Sequence, residues 1–365
     1  MKNKRIAIVL PDLGGGGAEK VALAVANGLS KENDVRLILF KREGIFLEYL
    51  SKDVELVVLN KDHKNIKQIF SLIRLLRKNL KDRDLFIAGF QLFTEFYSLI
   101  ATFNMKIKKI SVSQIDIRQI ISIKGYPMMP FKIIGSILYR FFDICICSSK
   151  GVKRSLRKVF NVKKKKLRVI YNPVFDVENN NSGIDIDYER PIFITLARLN
   201  YQKRLDIMIK AFAKYLKKNK NGTLLILGEG DLEEELKKLS LDLNVLKNLK
   251  FLGFKKNVSV YLNRADVFLL TSDFEGFGNV IVEAMANALP VISTDCPSGP
   301  SEILKKGKYG KLTPVGDVDS FSDAMEDLIR DEKELKKYSE LSLERAKEFS
   351  LEKIIGKYKD VIKRL

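Results

Sequence analysis

Histidine, tryptophan and cysteine are scarce in this 365-residue sequence, which has one histidine, no tryptophan and three cysteines. The histidine, His63, lies in the polar stretch Lys-Asp-His-Lys, which is typical of a solvated loop, so catalysis by histidine and zinc sites of the Cys/His type are disfavoured. Cys145, Cys147 and Cys296 cannot all pair within one chain. We therefore expect a protein of a reducing, cytoplasmic environment without a disulfide framework.

Long apolar runs are also missing from the sequence. The run at residues 6–10 is interrupted by Pro11 and is too short for the apolar core of a signal peptide. No other stretch approaches the roughly 18 apolar residues that span a bilayer. Because apolar residues still make up 46% of the chain, we expect a folded protein, long enough for two domains with substantial cores.

Acidic residues are few in the first half of the chain. Residues 1–175 contain 34 lysines and arginines but 14 acidic residues, whereas residues 176–365 contain 31 of each kind. The whole net charge of +20 therefore belongs to the first half. Such an excess predicts a polyanionic neighbour, which can be nucleic acid, anionic lipid or a phosphate-bearing substrate. A merely lysine-rich solvated surface is the alternative.

Short β-branched runs alternate with amphipathic segments, a pattern typical of α/β folds with parallel sheets. Residues 1–175 and 189–345 form two such sets, and residues 176–188 have the composition of a linker. We expect residues 346–365 to form a helix that crosses back to the first domain. Two Rossmann-like domains would leave a ligand cleft between the carboxyl ends of their strands. The predicted strands are 5–10, 34–40, 55–59, 85–89, 109–112, 144–147 and 170–174, followed by 191–197, 222–227, 249–252, 267–270 and 290–293.

A glycine run at residues 14–17 follows the first predicted strand and precedes a helix. Glycines at such a place let backbone N–H groups approach an anion. The run is not a dinucleotide fingerprint, because basic residues, Lys41 and Arg42, stand where an acidic residue is required after the second strand. It also lacks the Gly-Lys-Ser/Thr ending of a Walker A motif. A tight turn without a ligand is the alternative.

Two cations follow the first strand of the second half. Arg198 and Lys203 lie in a strand-to-helix loop, where a guanidinium and an ammonium group can hold a pyrophosphate. An arginine near a helix N-terminus is unfavourable unless an anion neutralises it. Lys203 taken alone has the simpler interpretation of a surface lysine.

Two glutamates stand on either side of a glycine-rich turn after the strand at 267–270. Asn279 is expected to cap the following helix and Glu283 to lie in its first turn. Carboxylates accept hydrogen bonds from vicinal hydroxyl groups, so Glu275 and Glu283 together with the cations predict a sugar nucleotide as ligand. The alternatives are a solvated loop acid for Glu275 and a helix-dipole partner for Glu283.

In order and spacing these motifs resemble the retaining GT-B glycosyltransferases of family 4 over essentially the whole chain. The motifs that carry the resemblance are Gly14–Glu19, the pair Arg198 and Lys203, Gly228-Glu-Gly-Asp231, Leu252-Gly-Phe254, and Glu275 with Glu283. The resemblance implies two Rossmann-like domains and a nucleotide-sugar donor. It also implies catalysis without a divalent metal. No Asp-x-Asp stands at a candidate donor site, and the Asp-x-Asp at 185–187 lies in the predicted linker.

The resemblance also assigns roles to single residues. Arg198 and Lys203 would neutralise the donor diphosphate, Glu283 would hold the ribose hydroxyls, and Glu275 would hold the sugar hydroxyls and take part in catalysis. The remaining donor contacts would come from Gly16, Gly17, Leu252, Phe254, Phe277, Gly278 and Asn279. Many relatives carry a histidine near the reacting sugar, in the segment that matches residues 111–116. Since this chain has none there, Gln114 or Asp116 is expected to help position the acceptor.

The acceptor is predicted to be lipid-linked and presented at a membrane. Residues 125–142 combine large apolar side chains with Lys132 and Arg140, which is typical either of a core helix or of a surface that reaches lipid. With the basic first half, this favours a cytoplasmic protein held peripherally on the inner face of an anionic membrane.

The sequence therefore predicts a retaining hexosyltransferase that uses a UDP-sugar to build bacterial surface polysaccharide, lipopolysaccharide or glycoprotein glycans. A mannosyltransferase that uses GDP-mannose is the alternative. From other classes, a sugar-nucleotide 2-epimerase would need more histidines and acids for proton transfer. A nucleic-acid-binding protein would place aromatic side chains among its basic residues, which is not the pattern here.

Overall fold

The computed structural model describes residues 3–61, 65–90, 92–119, 128–174 and 188–365. His63, residues 125–127 and nearly all of the predicted linker lie outside these ranges. The chain divides into two compact units, one formed by Met1–Pro173 with Leu351–Leu365 and the other by Val174–Ser350. Each unit has a parallel sheet covered by helices, so the predicted fold of two Rossmann-like domains is confirmed.

The first unit contains a seven-stranded parallel sheet in the order β3-β2-β1-β4-β5-β6-β7. Its strands are β1 (Arg5–Leu10), β2 (Asp34–Leu39), β3 (Val54–Val58), β4 (Leu85–Gly89), β5 (Lys108–Ser113), β6 (Ile144–Cys147) and β7 (Leu167–Val169). Its helices are α1 (Gly17–Ser30), α2 (Ile66–Leu80), α3 (Leu92–Ala101), α4 (Met128–Leu138) and α5 (Lys150–Phe160). The central strands β1, β4 and β6 are largely buried because helices cover both faces of the sheet, whereas the edge strands β3 and β7 are partly exposed.

The second unit contains a six-stranded parallel sheet in the order β10-β9-β8-β11-β12-β13. Its strands are β8 (Ile192–Leu196), β9 (Thr223–Leu227), β10 (Leu249–Gly253), β11 (Val267–Leu270), β12 (Val291–Thr294) and β13 (Lys311–Thr313). Its helices are α6 (Leu205–Asn219), α7 (Glu233–Asp242), α8 (Ser259–Leu262), α9 (Asn279–Ala286), α10 (Pro300–Ile303), α11 (Val318–Arg330) and α12 (Glu332–Ala346).

The C-terminal helix α13 (Leu351–Lys363) belongs to the first unit. It packs so closely on α1 that a Cβ at Gly28 would lie 2.6 Å from the Ile355 side chain. Lys359 Nζ lies 2.8 Å from the Glu32 carboxylate, and Lys4 Nζ donates to the carbonyl of Ile362. On the opposite face of the sheet, α2, α3 and α5 share one apolar core, which includes Leu76, Tyr97 and Phe160 among its members.

Both sheets reverse their strand order at one point. The chain moves outward in one direction from β1 and in the other from β4, and it does the same from β8 and β11 in the second sheet. In open α/β sheets ligands bind beside the carboxyl ends of the strands at such a switch point. The glycine run follows β1, the loop with Arg198 follows β8, and the loop with Glu275 follows β11.

One edge strand of each sheet differs from the prediction. In the first sheet, residues 170–174, predicted as a strand that runs into a turn, are irregular, and the edge strand β7 ends before them, at Val169. In the second sheet, the edge strand β13 was not predicted. Strands β7 and β13 are only three residues long, which is too short for the alternation of side chains to appear in a sequence.

Candidate functional site

The loops that follow β8 and β11 meet at the switch point of the second sheet. Gln202 joins them twice, since its side chain donates to the carbonyl of Phe274 at 2.9 Å and its own carbonyl accepts from the backbone N–H of Asp273 at 2.9 Å. Thr271 Oγ1 donates to the carbonyl of Lys203 at 2.9 Å. These bonds hold Lys203 and the segment before Glu275 in a defined relative position.

An ion pair joins the two loops. Lys203 Nζ lies 2.5 Å from Glu275 Oε1, and these side chains are only 13% and 9% exposed. Ser272 Oγ donates to the same carboxylate oxygen at 2.8 Å. The structure thus brings together a predicted phosphate-binding cation and a predicted sugar-binding acid, with a serine that the sequence reasoning missed. Glu275 is not a solvated loop acid, because it is buried and has two partners.

Burial of the pair changes what a substitution there would do. A buried charge that loses its partner is strongly destabilising, so the folding free energy of any single variant of Lys203 or Glu275 has to be measured before a change in its turnover is assigned to chemistry. Cys296 lies close to this pair, and burial, followed by the charge of Glu275, raises the pKa of its thiol far above the usual range. This thiol therefore remains protonated.

Arg198 lies in the same loop as Lys203, but its side chain is exposed. Among the described residues it forms no ion pair. The cation can therefore meet a ligand without first breaking an interaction within the protein. This is the arrangement expected of a residue that contacts a soluble anion at the rim of a site.

The helix after Glu275 begins differently from the prediction. Its N-cap is Gly278, whose φ of 97° favours glycine, and Asn279 is the first helical residue and not the cap. Glu283 consequently lies beyond the first turn, which contains no acidic residue. Since the helix dipole acts mainly within the first turn, it does not account for a glutamate here that is only 8% exposed.

The other predicted donor contacts of the second unit differ in exposure. Phe254 is 43% exposed and Leu252 is half-buried, so both side chains can border a ligand. Phe277 is 3% exposed and its ring packs edge-on against Phe349 at 5.6 Å. Only the backbone of Phe277 is therefore available for the role that the resemblance implies.

The Gly-Glu-Gly-Asp motif contacts the loops that carry Arg198 and Phe254. A Cβ at Gly228 would lie 2.0 Å from the carbonyl oxygen of Ala197, just before Arg198. Glu229 Oε1 accepts a hydrogen bond from the backbone N–H of Phe254 at 3.1 Å. The motif is thus explained by close packing of loops that carry predicted ligand contacts.

In the first unit, part of the glycine run has a packing explanation. Residues 15–17 are exposed at the start of α1. A Cβ at Gly16 would lie 2.3 Å from a carboxylate oxygen of Glu19, which is itself buried. The absence of a side chain at Gly16 therefore leaves room for Glu19, whether or not Gly16 also contacts a ligand. Contacts of Gly16 and Gly17 with a donor phosphate stay a prediction.

The two residues predicted to position the acceptor differ in availability. Asp116 is fully buried and accepts hydrogen bonds from Arg118 Nε and from the Arg118 backbone, both at 3.0 Å. Burial raises the pKa of Asp116, but the bonds from Arg118 outweigh it and the pKa lies below its usual value. Gln114 is only partly buried and pairs with the Asn172 amide. Of the two, Gln114 is the better candidate for contact with an acceptor.

The sequence matches the models of two protein domain families. Residues 15–176 match the model of the Glycosyltransferase Family 4 domain, and residues 176–345 match that of the Glycosyl transferases group 1 domain. The chain is a GT-B glycosyltransferase of the family 4 type. Among the residues that the structure describes, no group of three or more His, Cys, Asp or Glu side chains is placed to hold a metal ion. None of the described helices combines the length and hydropathy needed to cross a bilayer.

Known proteins are similar in sequence to this glycosyltransferase over different fractions of its length. An uncharacterized glycosyltransferase of Methanocaldococcus jannaschii is 32% identical, over 61% of this chain and 64% of its own length. The N-acetylgalactosamine-N,N'-diacetylbacillosaminyl-diphospho-undecaprenol 4-alpha-N-acetylgalactosaminyltransferase of Campylobacter jejuni is 28% identical, over 96% of this chain and 97% of its own length. The structure of HepE from Anabaena, solved with UDP and glucose, superposes with a TM-score of 0.83 over all of both chains at 20% identity, which shows the shared fold.

Proposed function

We propose that this glycosyltransferase transfers a hexose or N-acetylhexosamine from a UDP-sugar to a lipid-linked glycan, with retention of the anomeric configuration. The observation that carries the proposal is the buried Lys203–Glu275 pair beside the exposed Arg198 at the switch point of the second sheet. This arrangement offers cations to a diphosphate and a carboxylate to sugar hydroxyls. The near full-length similarity to an enzyme named for a diphospho-undecaprenol acceptor supports the acceptor class.

The proposed chemistry is stabilisation of the leaving group. As the anomeric bond breaks, negative charge develops on the β-phosphate of the nucleotide, and Arg198, Lys203 and the N-terminal amides of α9 would meet it. The acceptor hydroxyl would attack from the face that the nucleotide leaves, and its proton would pass to the departing phosphate. No protein nucleophile is needed in this route.

The choice of UDP over GDP is tested by thermal-shift titration with UDP, GDP, CDP and ADP. We expect UDP to raise the unfolding temperature most, because a ligand that binds only the folded state stabilises it more, at a given concentration, the more tightly it binds. A larger shift with GDP would replace the UDP-sugar with GDP-mannose as donor and leave the transferase assignment intact.

Replacement of Glu283 and of Glu275 with glutamine is expected to impair two different properties, donor binding and turnover. Each change removes a charged acceptor, worth about 1.5–3 kcal/mol. Glu283→Gln should therefore weaken UDP binding by about tenfold or more, whereas Glu275→Gln should chiefly lower turnover. Isothermal titration with UDP and initial-rate kinetics measure the two effects, urea unfolding shows how much of Glu275→Gln is folded under the assay conditions, and the exposed Glu235→Gln is the control. Unchanged UDP affinity in Glu283→Gln would contradict the ribose role.

The transfer reaction is expected to proceed without a divalent cation. Arg198 and Lys203 would supply the positive charge that a metal ion supplies in metal-dependent transferases. Activity should therefore be the same after dialysis against EDTA, measured as release of UDP. A loss of activity that added magnesium restores would show that the cations of this site are insufficient.

A further inference from the structure

The outer face of α3 carries a stripe of large apolar side chains that the sequence reasoning did not single out. Phe93, Phe96, Ile100 and, in the turn that ends the helix, Phe103 are 36–63% exposed. Their spacing of three and four residues places them on one side of a helix. The opposite side, with Thr94, Ser98 and Thr102, is buried. Tyr97, Leu99 and Ala101 belong to the core of the first unit, whereas the stripe residues do not.

The neighbouring helix α2 extends this surface, with exposed apolar side chains near its start and cations near its end. Near its start, Ile66 and Phe70 are 70% and 68% exposed. Near its end, a cluster of cations lines a cavity of about 410 Å³ beside Met105. We call these the basic cavity residues, and they are Arg74, Arg77, Lys78 and Lys81.

The charge of the basic cavity is not neutralised by the described part of the chain. None of its four side chains forms an ion pair with a described residue. Arg77 instead donates to the backbone carbonyls of Ala101 and Phe103, both at 3.0 Å, and so links the cavity to the end of the α3 stripe. Positive charge and exposed aromatic groups thus lie side by side on one surface.

We infer that this surface of α2 and α3 docks on an anionic lipid bilayer. The α3 stripe, with Ile66 and Phe70, would enter the boundary between headgroups and acyl chains, and the basic cavity would take lipid phosphates. Apolar side chains next to lysine and arginine are the pattern of segments that lie in a membrane interface. Charge complementarity selects the anionic bilayer, since each basic residue near it is worth about a fivefold gain in affinity.

This inference rests on the proposed lipid-linked acceptor and deepens it by naming the membrane-facing surface. Helix α4 offers a second surface, because Met129, Ile133, Ile134, Ile137 and, beyond it, Phe141 are also exposed. These residues belong to the segment that the sequence predicts to reach lipid, with Lys132 and Arg140. The test must therefore separate α2 and α3 from α4.

Sedimentation with phosphatidylcholine vesicles, with and without phosphatidylglycerol, makes this separation. We expect wild-type binding to require phosphatidylglycerol and to fall with salt, because the Debye length shrinks from about 10 Å at 0.1 M to about 3 Å at 1 M. A triple variant of the basic cavity should bind vesicles about a hundredfold more weakly, and it combines Arg74→Gln, Lys78→Gln and Lys81→Gln. A triple variant of the α3 stripe should also bind more weakly, and it combines Phe93→Gln, Ile100→Gln and Phe103→Gln. Two control variants alter exposed residues of the second unit and should bind as wild type. The charge control combines Lys238→Gln, Lys247→Gln and Lys336→Gln, and the apolar control combines Leu241→Gln and Leu343→Gln.

Three outcomes overturn the inference. The first is that wild type pellets with neither vesicle, and the second is that the α2 and α3 variants bind like their controls. The third is that Lys132→Glu with Arg140→Glu abolishes binding that the α2 and α3 variants retain. Thermal shift by UDP, measured on the same samples, reports folding and donor binding separately. Vesicle binding without any nucleotide shift would contradict the proposed function but not the docking surface, and the reverse result would contradict only the docking surface.

Discussion

Replacing Arg198 or Lys203 with alanine is expected to lower turnover about a hundredfold or more. Loss of one fixed donor to an anion that develops in the transition state costs about this much in other enzymes. The exposed Arg198 should lose turnover with little change in stability, since the described residues give it no ionic partner to leave behind. Measured rates of UDP release at saturating donor check this result.

Lys203 needs a second variant because it is buried against Glu275. Lys203→Ala leaves the glutamate buried without its cation, which costs about 3–5 kcal/mol in folding free energy. The double change Lys203→Ala with Glu275→Gln removes that charge, so it should recover stability and show how much of the defect in Lys203→Ala is a folding defect. Because Glu275 is itself assigned to the sugar, the turnover of Lys203→Ala is measured under conditions in which urea unfolding shows that variant to be folded. Lys210→Ala, at an exposed lysine of α6, is the control. Turnover near the wild-type value in both Arg198→Ala and Lys203→Ala would rule out the pyrophosphate role.

Much of the fold could be predicted because buried parallel strands have a simple pattern. Strands β1, β4, β6 and β11 lie within continuous apolar runs and are found at the predicted residues. A strand that is covered on both faces needs apolar side chains at every position, so its limits are visible in the sequence.

The contacts within the candidate site could not be predicted in the same way. Lys203 and Glu275 are 72 residues apart, and they meet only because β8 and β11 are neighbours in the sheet. The sequence identifies both residues as ligand contacts, with Lys203 at the diphosphate and Glu275 at the sugar, but it does not predict that they form an ion pair. Likewise, the exposure of Phe93 and Phe103 depends on which face of α3 packs on the sheet, which the apolar sequence of that helix does not reveal.

The buried carboxyl group of Glu95 is expected to make the stability of the first unit depend on pH. Glu95 lies in the first turn of α3 and is 4% exposed. It accepts hydrogen bonds from Ser111 Oγ at 2.5 Å and from the Tyr139 hydroxyl at 2.7 Å. Burial raises its pKa from 4.5 to about 7, although both hydrogen bonds act in the opposite direction.

Because the pKa of Glu95 is higher in the folded chain than in the unfolded chain, folding favours its protonated form. This contribution to the free energy of unfolding is complete below pH 4.5, declines as the pH rises towards about 7, and is lost above that. The shift corresponds to about 3 kcal/mol. Glu95→Gln remains neutral, so its stability relative to wild type should increase by about this amount between pH 4.5 and pH 8.

Urea unfolding followed by circular dichroism, at several pH values between 4.5 and 8, measures this difference for wild type and Glu95→Gln. Comparison with wild type at each pH removes the contributions of all other titrating groups, which the two proteins share. The exposed Glu43→Gln, in the same unit, should show no such trend. A constant difference between Glu95→Gln and wild type would mean that Glu95 titrates alike in the folded and unfolded chains, which its burial against Ser111 and Tyr139 argues against.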